Sequence, residues 1–198
     1  MLNIDPDQIC AAYVQSNPNM SANAQSGLHS ILSAMTEDSD LSDVRWAAYM
    51  LATVKHECAN HWQPIEEFGK GAGRPYGQPA SVQDADGTTY TNVYYGRGYV
   101  QLTWKMNYAK VGQLIGLGNS LVIHPEHALE PQTAYRIMSQ GMRAGLFTGK
   151  KLSDYINDQH CDYFNARRII NGVDRADLIQ GYAQAFENIL SQSLKAAA

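Results

Sequence analysis

The stretch 94-YYGRGYVQLTWKMNY-108 leaves an irregular segment, turns on two glycines and runs toward a helix. It carries aromatic, arginine, glutamine and threonine side chains through that turn. Gly96-Arg97-Gly98 is not the start of G-x-G-x-x-G, because position 101 is Gln, so a dinucleotide-binding loop fits poorly. Aromatic faces beside planar hydrogen-bonding groups are what a sugar-binding cleft requires. An amphipathic turn entering a helix, with Tyr and Trp merely packing, has the same composition.

Upstream, 69-GKGAGRPYGQPASVQDADGTTYTNVYYGRG-98 is the stretch densest in breakers. So long an irregular segment is a functional loop or a small hairpin layer. Asp86-Gly87 between Val82 and Tyr90 predicts a turn, and the alternating TTYTNVYY after it a short strand. The remainder reads as helix, over 5–16, 21–36, a segment capped by Ser42 or Asp43 and running to about Cys58, 103–115, 125–146, 160–171 and 174–194. Val44, Ala47, Ala48, Leu51 and Val54 share one face of the third helix, and Leu178, Tyr182, Ala185 and Ile189 one face of the last. The expected class is mainly α, with one small β element beside a large loop.

Composition narrows the function. The 198 residues suffice for one compact domain, and no repeat or linker divides them. A net charge of −4 offers no basic field for nucleic acid or anionic lipid. Lys150-Lys151 and Arg167-Arg168 read as solvated helix or loop charges. Cys10, Cys58 and Cys161 are odd in number and scattered, which argues against a disulfide framework and for a reducing compartment. The opening MLNIDPDQICAAYV has no basic n-region, and no apolar run approaches the roughly 20 residues of a membrane span. Synthesis in the cytoplasm without a signal peptide, and no stable membrane insertion, are the expectations.

Chemistry concentrates in 55-KHECANHWQPIEEFG-69. A zinc helix of the H-E-x-x-H kind needs its imidazoles four residues apart; His56 and His61 are five apart, and their rings turn away from each other. A thiol nucleophile would pair Cys58 with His56 or His61, or Cys161 with His160, but sequence neighbours seldom supply that geometry. The carboxylates have a firmer basis. Glu57 continues the apolar side of its helix at the C-terminal end, where desolvation and the helix dipole both favour a protonated acid. Glu66 and Glu67 follow past a turn at Pro64, where the chain can come back to face Glu57. An acid and a base across a cleft are the requirement for glycoside hydrolysis. Taken alone, these fifteen residues favour the plainer reading, in which Glu57 is half-buried in an ion pair and Glu66-Glu67 are surface charges.

The two stretches together, in this order, resemble glycoside hydrolase family 19, the chitinase family that includes phage endolysins. The G-R-G-x-V-Q-L-T-W-x-x-N-Y pattern lies downstream of His56-Glu57 at a helix end, and 165-NARRIINGVDRADLI-179 resembles the family's I-I-N-G segment. The resemblance spans about residues 44–190. It implies a lysozyme-like, two-lobed helical domain with a small β-hairpin or loop element beside the cleft. It also implies a single catalytic domain over 1–198, with N-terminal helices in 1–40, a core in 41–190 and no separate wall-binding domain. The endolysin branch is the better fit, since the disulfides of plant chitinases are missing and Q-P-I-x-E-x-G is similar to lysins of phages infecting Gram-negative bacteria.

By this resemblance Glu57 is the catalytic acid. The second carboxylate falls on Glu67, with Glu66 as the alternative, and Thr103 matches the threonine that helps hold the attacking water. His56, Tyr95, Arg97, Gln101, Trp104 and Asn171 match positions that line or shape the cleft. No metal and no cofactor are implied. Cys58-Ala59-Asn60 stands where the family has small residues, so the helix is expected to end differently. The implied activity is inverting hydrolysis of the β-1,4 glycan strand of peptidoglycan by a monomeric, lysozyme-type muramidase acting in the periplasm after release or delivery. Such inversion needs carboxyls about 6.5–9.5 Å apart. Chitin hydrolysis on the same scaffold, a secretion-delivered effector and an inactive wall-binding protein are the alternatives. A holin, a delivery machine or an inhibitor protein would be the further partners.

Overall fold

The structure is a computed structural model that describes residues 1–196. Its elements in chain order are α1 (Pro6–Ser16), α2 (Ala22–Glu37), α3 (Val44–Glu57), β1 (Ile65–Glu66), β2 (Ala80–Gln83), β3 (Thr89–Asn92) and β4 (Arg97–Gly98). There follow α4 (Lys105–Leu114), α5 (Ser120–Ile123), α6 (Pro131–Ala144), α7 (Leu152–Tyr155), α8 (Tyr163–Ala166) and α9 (Ala176–Ala196). The chain is therefore mainly α, as its periodicity predicts.

Local chemistry sets the helix starts. Asp5 caps α1 by accepting from the amides of Asp7 and Gln8, with Pro6 in the first turn where its missing N–H costs nothing. Ser21 caps α2 through Ala24, and Asp43 caps α3 through Arg45 at 2.9 Å. The segment expected as one helix over 125–146 divides into a 3₁₀ turn, Pro125–Leu129, and α6, because Pro131 can only occupy the first turn of a new helix.

Helix α3 is apolar nearly all round: every residue from Ala47 to Val54 is buried. Such a helix belongs at the centre of a core, and its most extensive neighbour is α9. The face that α9 turns inward is Ile179, Ala183, Phe186 and Leu190, all at most 1% exposed. The expected stripe of Leu178, Tyr182, Ala185 and Ile189 lies one residue off that face, and Leu178 is 43% exposed. Both rows have helical spacing; the row with Phe186 fills the space against Tyr13 and Trp62.

The contacts sort the helices into two groups. Helices α1, α3, α8 and α9 pack together, with α2 on α1; α4, α5 and α6 pack with the 3₁₀ turn and the β segments. Contacts of α2 with α6, and of α7 with both α6 and α8, join the groups. Strands β2 and β3 form the hairpin expected around Asp86-Gly87, with Val82 opposite Tyr90. The antiparallel pair β1–β4 sets Ile65 opposite Gly98 and Glu66 opposite Arg97. Two-residue strands carry no periodicity, so that pair had no signature in the sequence.

Candidate active site

Glu57 is the last residue of α3. Beyond it Cys58 returns its N–H to Val54, Ala59 to His56 and Asn60 to Lys55, while Ala59 and Asn60 take left-handed φ of 48° and 64°. The departure Cys58-Ala59-Asn60 thus still ends the helix by a left-handed cap, without the glycine that adopts it most readily. The Cys58 thiol is fully buried against the carbonyls of Gly98 and Tyr99, so the end of α3 abuts the same β4 turn that pairs with β1. Burial pushes this thiol up to about 12, with Glu57 adding to the shift, and the thiol reading at Cys58 is thereby removed.

The Glu57 side chain is 17% exposed and its Oε1 accepts from Arg167 Nη1 at 2.6 Å. Arg167 is 3% exposed and also donates through Nε to the Asp174 carbonyl at 3.1 Å. Arg167 is therefore no solvated charge, which corrects the reading of the Arg167-Arg168 pair; Arg168 alone is exposed. The signal was present: Tyr163, Ala166, Arg167 and Ile170 share helical spacing, so Arg167 falls on the inward face. Arg167 engages only one carboxylate oxygen and leaves Oε2 for other chemistry.

Glu66 stands across the β1–β4 pair from Arg97. Its Oε1 accepts from the Tyr95 hydroxyl, its Oε2 pairs with Lys70 at 2.9 Å, and Arg97 Nε lies 4.0 Å away. These partners, Tyr95 first and Lys70 next, hold its carboxyl below the usual range, although the side chain is 36% exposed. Glu67 is occupied differently. Its Oε1 accepts from the Tyr76 hydroxyl at 2.7 Å and its Oε2 from the Gly96 amide at 3.0 Å, so both oxygens tie the 67–77 loop to the glycine turn.

The turn itself is built around Arg97. The guanidinium carbon lies 3.6 Å from the centroid of the Tyr95 ring, and Nη1 donates to Val93 O and Tyr108 Oη. Gly98, at φ 85°, passes so close to the Ala128 carbonyl that a Cβ would sit 2.8 Å from it. Gln101 donates to the carbonyls of Ile65 and Gly98, locking β1 to the turn. The Thr103 hydroxyl donates to Gln101 O at 2.8 Å, so its lone pairs remain free to accept from a water. Trp104, at φ 75°, is 48% exposed and meets Tyr76 edge-on at 5.3 Å.

The predicted residues thus fall into three sets. Glu66, Glu67, Tyr95, Arg97, Gln101, Thr103 and Trp104 share one connected hydrogen-bonded and aromatic network, and Glu57 joins its edge through Cys58. His56 lies half-buried in the last turn of α3. Asn171 is exposed; its amide donates to Arg167 O at 3.0 Å and its Oδ1 accepts from the Gly172 amide at 2.9 Å, with no hydrogen bond to the other predicted residues. Sequence reasoning missed Arg167, Lys70 and Tyr76. Among the described residues no three His, Cys, Asp or Glu side chains group as metal ligands would.

Two joined helical groups, a small β element and acidic side chains at a helix end and on the adjacent strand define a mainly α, lysozyme-like fold. Similarity to known proteins narrows this. No protein-family model matches the chain. An acidic endochitinase of Solanum chilense is 39% identical over 72 residues, which are 36% of this chain and 27% of that protein. An endochitinase of Arabidopsis thaliana is 34% identical over 93 residues, 46% of this chain and 30% of that one. The aligned segments therefore span less than a third of either relative. The crystal structure of a chitinase C mutant matches with a TM-score of 0.55 at 23% identity, over 95% of this chain and 92% of that one. The fold is the chitinase-like fold of glycoside hydrolase family 19.

Proposed function

We propose that the protein is a glycoside hydrolase that cleaves the β-1,4 glycan strand of peptidoglycan, with Glu57 as acid and Glu66 as base. The observation that carries the proposal is that two carboxylates have unlike surroundings on segments that both meet the β4 turn, Glu57 beside Cys58 and Glu66 opposite Arg97. Glu57 is largely withdrawn from water with one oxygen free, and Glu66 is open and braced by Tyr95, Lys70 and Arg97. An acid and a base in different environments are what a two-carboxylate mechanism uses. In this reading Glu57 gives its proton to the glycosidic oxygen as the bond to the anomeric carbon breaks. A water, held by the Thr103 hydroxyl, loses a proton to Glu66 as its oxygen bonds to that carbon from the opposite face. Inversion follows.

The resemblance favoured Glu67 as base. Both carboxylates have a partner on each oxygen. What supports Glu66 instead is exposure, since Glu67 is bound to Tyr76 and a backbone amide inside the scaffold, whereas Glu66 is exposed and its partner Lys70 is itself open to water. Exposed Trp104, beside Tyr76, offers a face on which a sugar ring can stack. A phage lysin released through a holin pore, or an effector delivered by a secretion machine, would bring this monomeric domain to the periplasm. Neither route needs another catalytic residue.

Chitin is the second reading, and the similar proteins favour it over peptidoglycan, since both plant relatives and the structural match are named chitinases. Three free cysteines, with no disulfide among them, distinguish this chain from a disulfide-stapled scaffold but not from a chitin-cleaving one. Mass spectrometry of digests separates the two. New muramic acid reducing ends from purified peptidoglycan support the first reading; cleavage of chitin oligomers with intact peptidoglycan overturns it in favour of the second.

A further inference from the structure

A cavity of about 620 Å³ lies at the α3 terminus, lined by the α1–α2 connection, the loop leading to β1 and Tyr182 of α9. None of the residues placed in the candidate active site lines it. Its volume is in the range of sites that take small organic ligands, roughly 300–1,000 Å³.

The charge in this cavity is unusual. Lys55 is half-buried, and its Nζ donates to Tyr13 Oη at 2.6 Å while lying 5.1 Å from the Tyr13 ring centroid and 4.7 Å from that of Tyr182. Among the described residues it makes no ion pair with a carboxylate. Burial alone lowers its pKa from the ordinary lysine value. No Asp or Glu occurs among the described lining residues, although the whole chain is net acidic. The N-terminus of α2 adds to the same sign: Ser21 and Ala24 line the cavity, and the first turn of that 16-residue helix holds no acid.

The remaining lining is what a sugar contacts. Asn19 and Asn60 supply amides, and the partly exposed Tyr182 supplies a ring face, with Tyr13 and Trp62 forming the buried floor behind it. A comparison within the molecule sharpens the point. The cavity of about 280 Å³ between α2 and α6 also contains charges, but there Arg143 is already paired with Asp38 and Asp40. Glu37, Asp38 and Asp40 line that cavity beside Arg136 and Arg143, whereas no carboxylate occurs among the described lining residues of the Lys55 cavity. One ammonium matches one carboxylate; a phosphate dianion would call for a second cation.

We propose that this cavity is a noncatalytic binding site for a carboxylated N-acetylamino sugar, its carboxylate on Lys55 and its ring against Tyr182. The choice of ligand rests on the peptidoglycan reading, because that glycan alternates a neutral amino sugar with one whose lactyl ether carboxylate is free wherever the stem peptide has been removed. The site would let the domain hold a strand stripped of its stem peptides, while a neutral chitin strand would gain nothing from Lys55.

The test is a ¹H–¹⁵N NMR titration of the full chain with N-acetylmuramic acid, N-acetylglucosamine and inorganic phosphate in separate arms. N-acetylmuramic acid is expected to shift the Trp62 indole and the Asn60 amide, with at least tenfold weaker binding in Lys55→Met and clear weakening in Tyr182→Leu. The spectra themselves report whether each variant is folded. Equal binding by Lys55→Met, an equal response to N-acetylglucosamine, or a response to phosphate alone overturns the proposal. Glu57→Gln is expected to bind N-acetylmuramic acid as the unmodified protein does. Loss of the site and loss of the catalytic assignment are therefore read separately, one by titration and one by hydrolysis.

Discussion

Replacing Arg167 by Met removes one member of a buried pair while keeping most of the apolar stem. Arg167 is 3% exposed and Glu57 17%, with 2.6 Å between Nη1 and Oε1. Removing one partner of a fully buried pair costs about 3–5 kcal/mol, because the other charge stays dry and unanswered. Glu57 retains some access to water, which puts the expected loss at the low end, about 3 kcal/mol. For a chain of this size each kcal/mol moves the melting temperature by about 2–4 °C, so a fall of about 6–12 °C is expected. Adding Glu57→Gln takes away the stranded charge, and the double variant should recover about 1–2 kcal/mol relative to Arg167→Met alone. Urea unfolding followed by far-UV circular dichroism at one fixed pH measures both. A loss below about 0.5 kcal/mol would mean that the pair behaves as an exposed one. Strict additivity of the two substitutions would mean that Arg167 does not hold Glu57 at all.

Further outcomes follow from the same geometry. The Glu66 carboxyl is held below its usual range chiefly by Tyr95, so it stays ionised, and contributes stability, above the unfolded carboxylate range and loses both as pH falls through its lowered value. Tyr95→Phe removes the largest cause, and the acidic limb of the pH–rate profile should move to higher pH. Glu66→Gln should lower kcat by about 100-fold or more, whereas Glu67→Gln should mainly loosen the 67–77 loop, seen as faster amide exchange there with a smaller loss of turnover. Ala59 sits at φ 48°, where an L-residue costs about 1–2 kcal/mol. Ala59→Gly relieves this but adds about 0.4–1 kcal/mol of unfolded-state entropy, for a net gain near 0.5 kcal/mol in denaturant titration.

Much of this architecture was legible where local chemistry dictates it. Ser42-Asp43 before an apolar run predicted the start of α3, where Asp43 proves to be the cap, and Asp86-Gly87 between Val82 and Tyr90 predicted the β2–β3 turn. Elements held by tertiary contact were not legible. The β1–β4 pair is two residues long on each side, and α5 and α7 are single turns, too short to show a period. On α9 two apolar rows compete, and only the space beside Tyr13 and Trp62 selects the one containing Phe186.

The site divides in the same way. Glu57 was visible as a carboxylate ending an apolar helix face, but its partner Arg167 lies 110 residues away, and an adjacent pair of arginines looks solvated in any window. The choice between Glu66 and Glu67 depended on which oxygens Tyr76, Lys70 and Gly96 engage, and none of those contacts is a matter of spacing. Lys55 drew no notice for a related reason. Its chemistry lies in what fails to pair with it, and that is visible only in three dimensions.

The account rests most heavily on Glu57 as the proton donor, and one measurement meets it directly. Release of reducing ends from purified peptidoglycan is compared for the unmodified protein and Glu57→Gln, with circular dichroism confirming that both are folded. General acid catalysis is worth about 10²–10⁴ in rate, so the variant should lose at least about 100-fold in turnover. A folded Glu57→Gln that turns over within about tenfold of the unmodified protein would contradict the account.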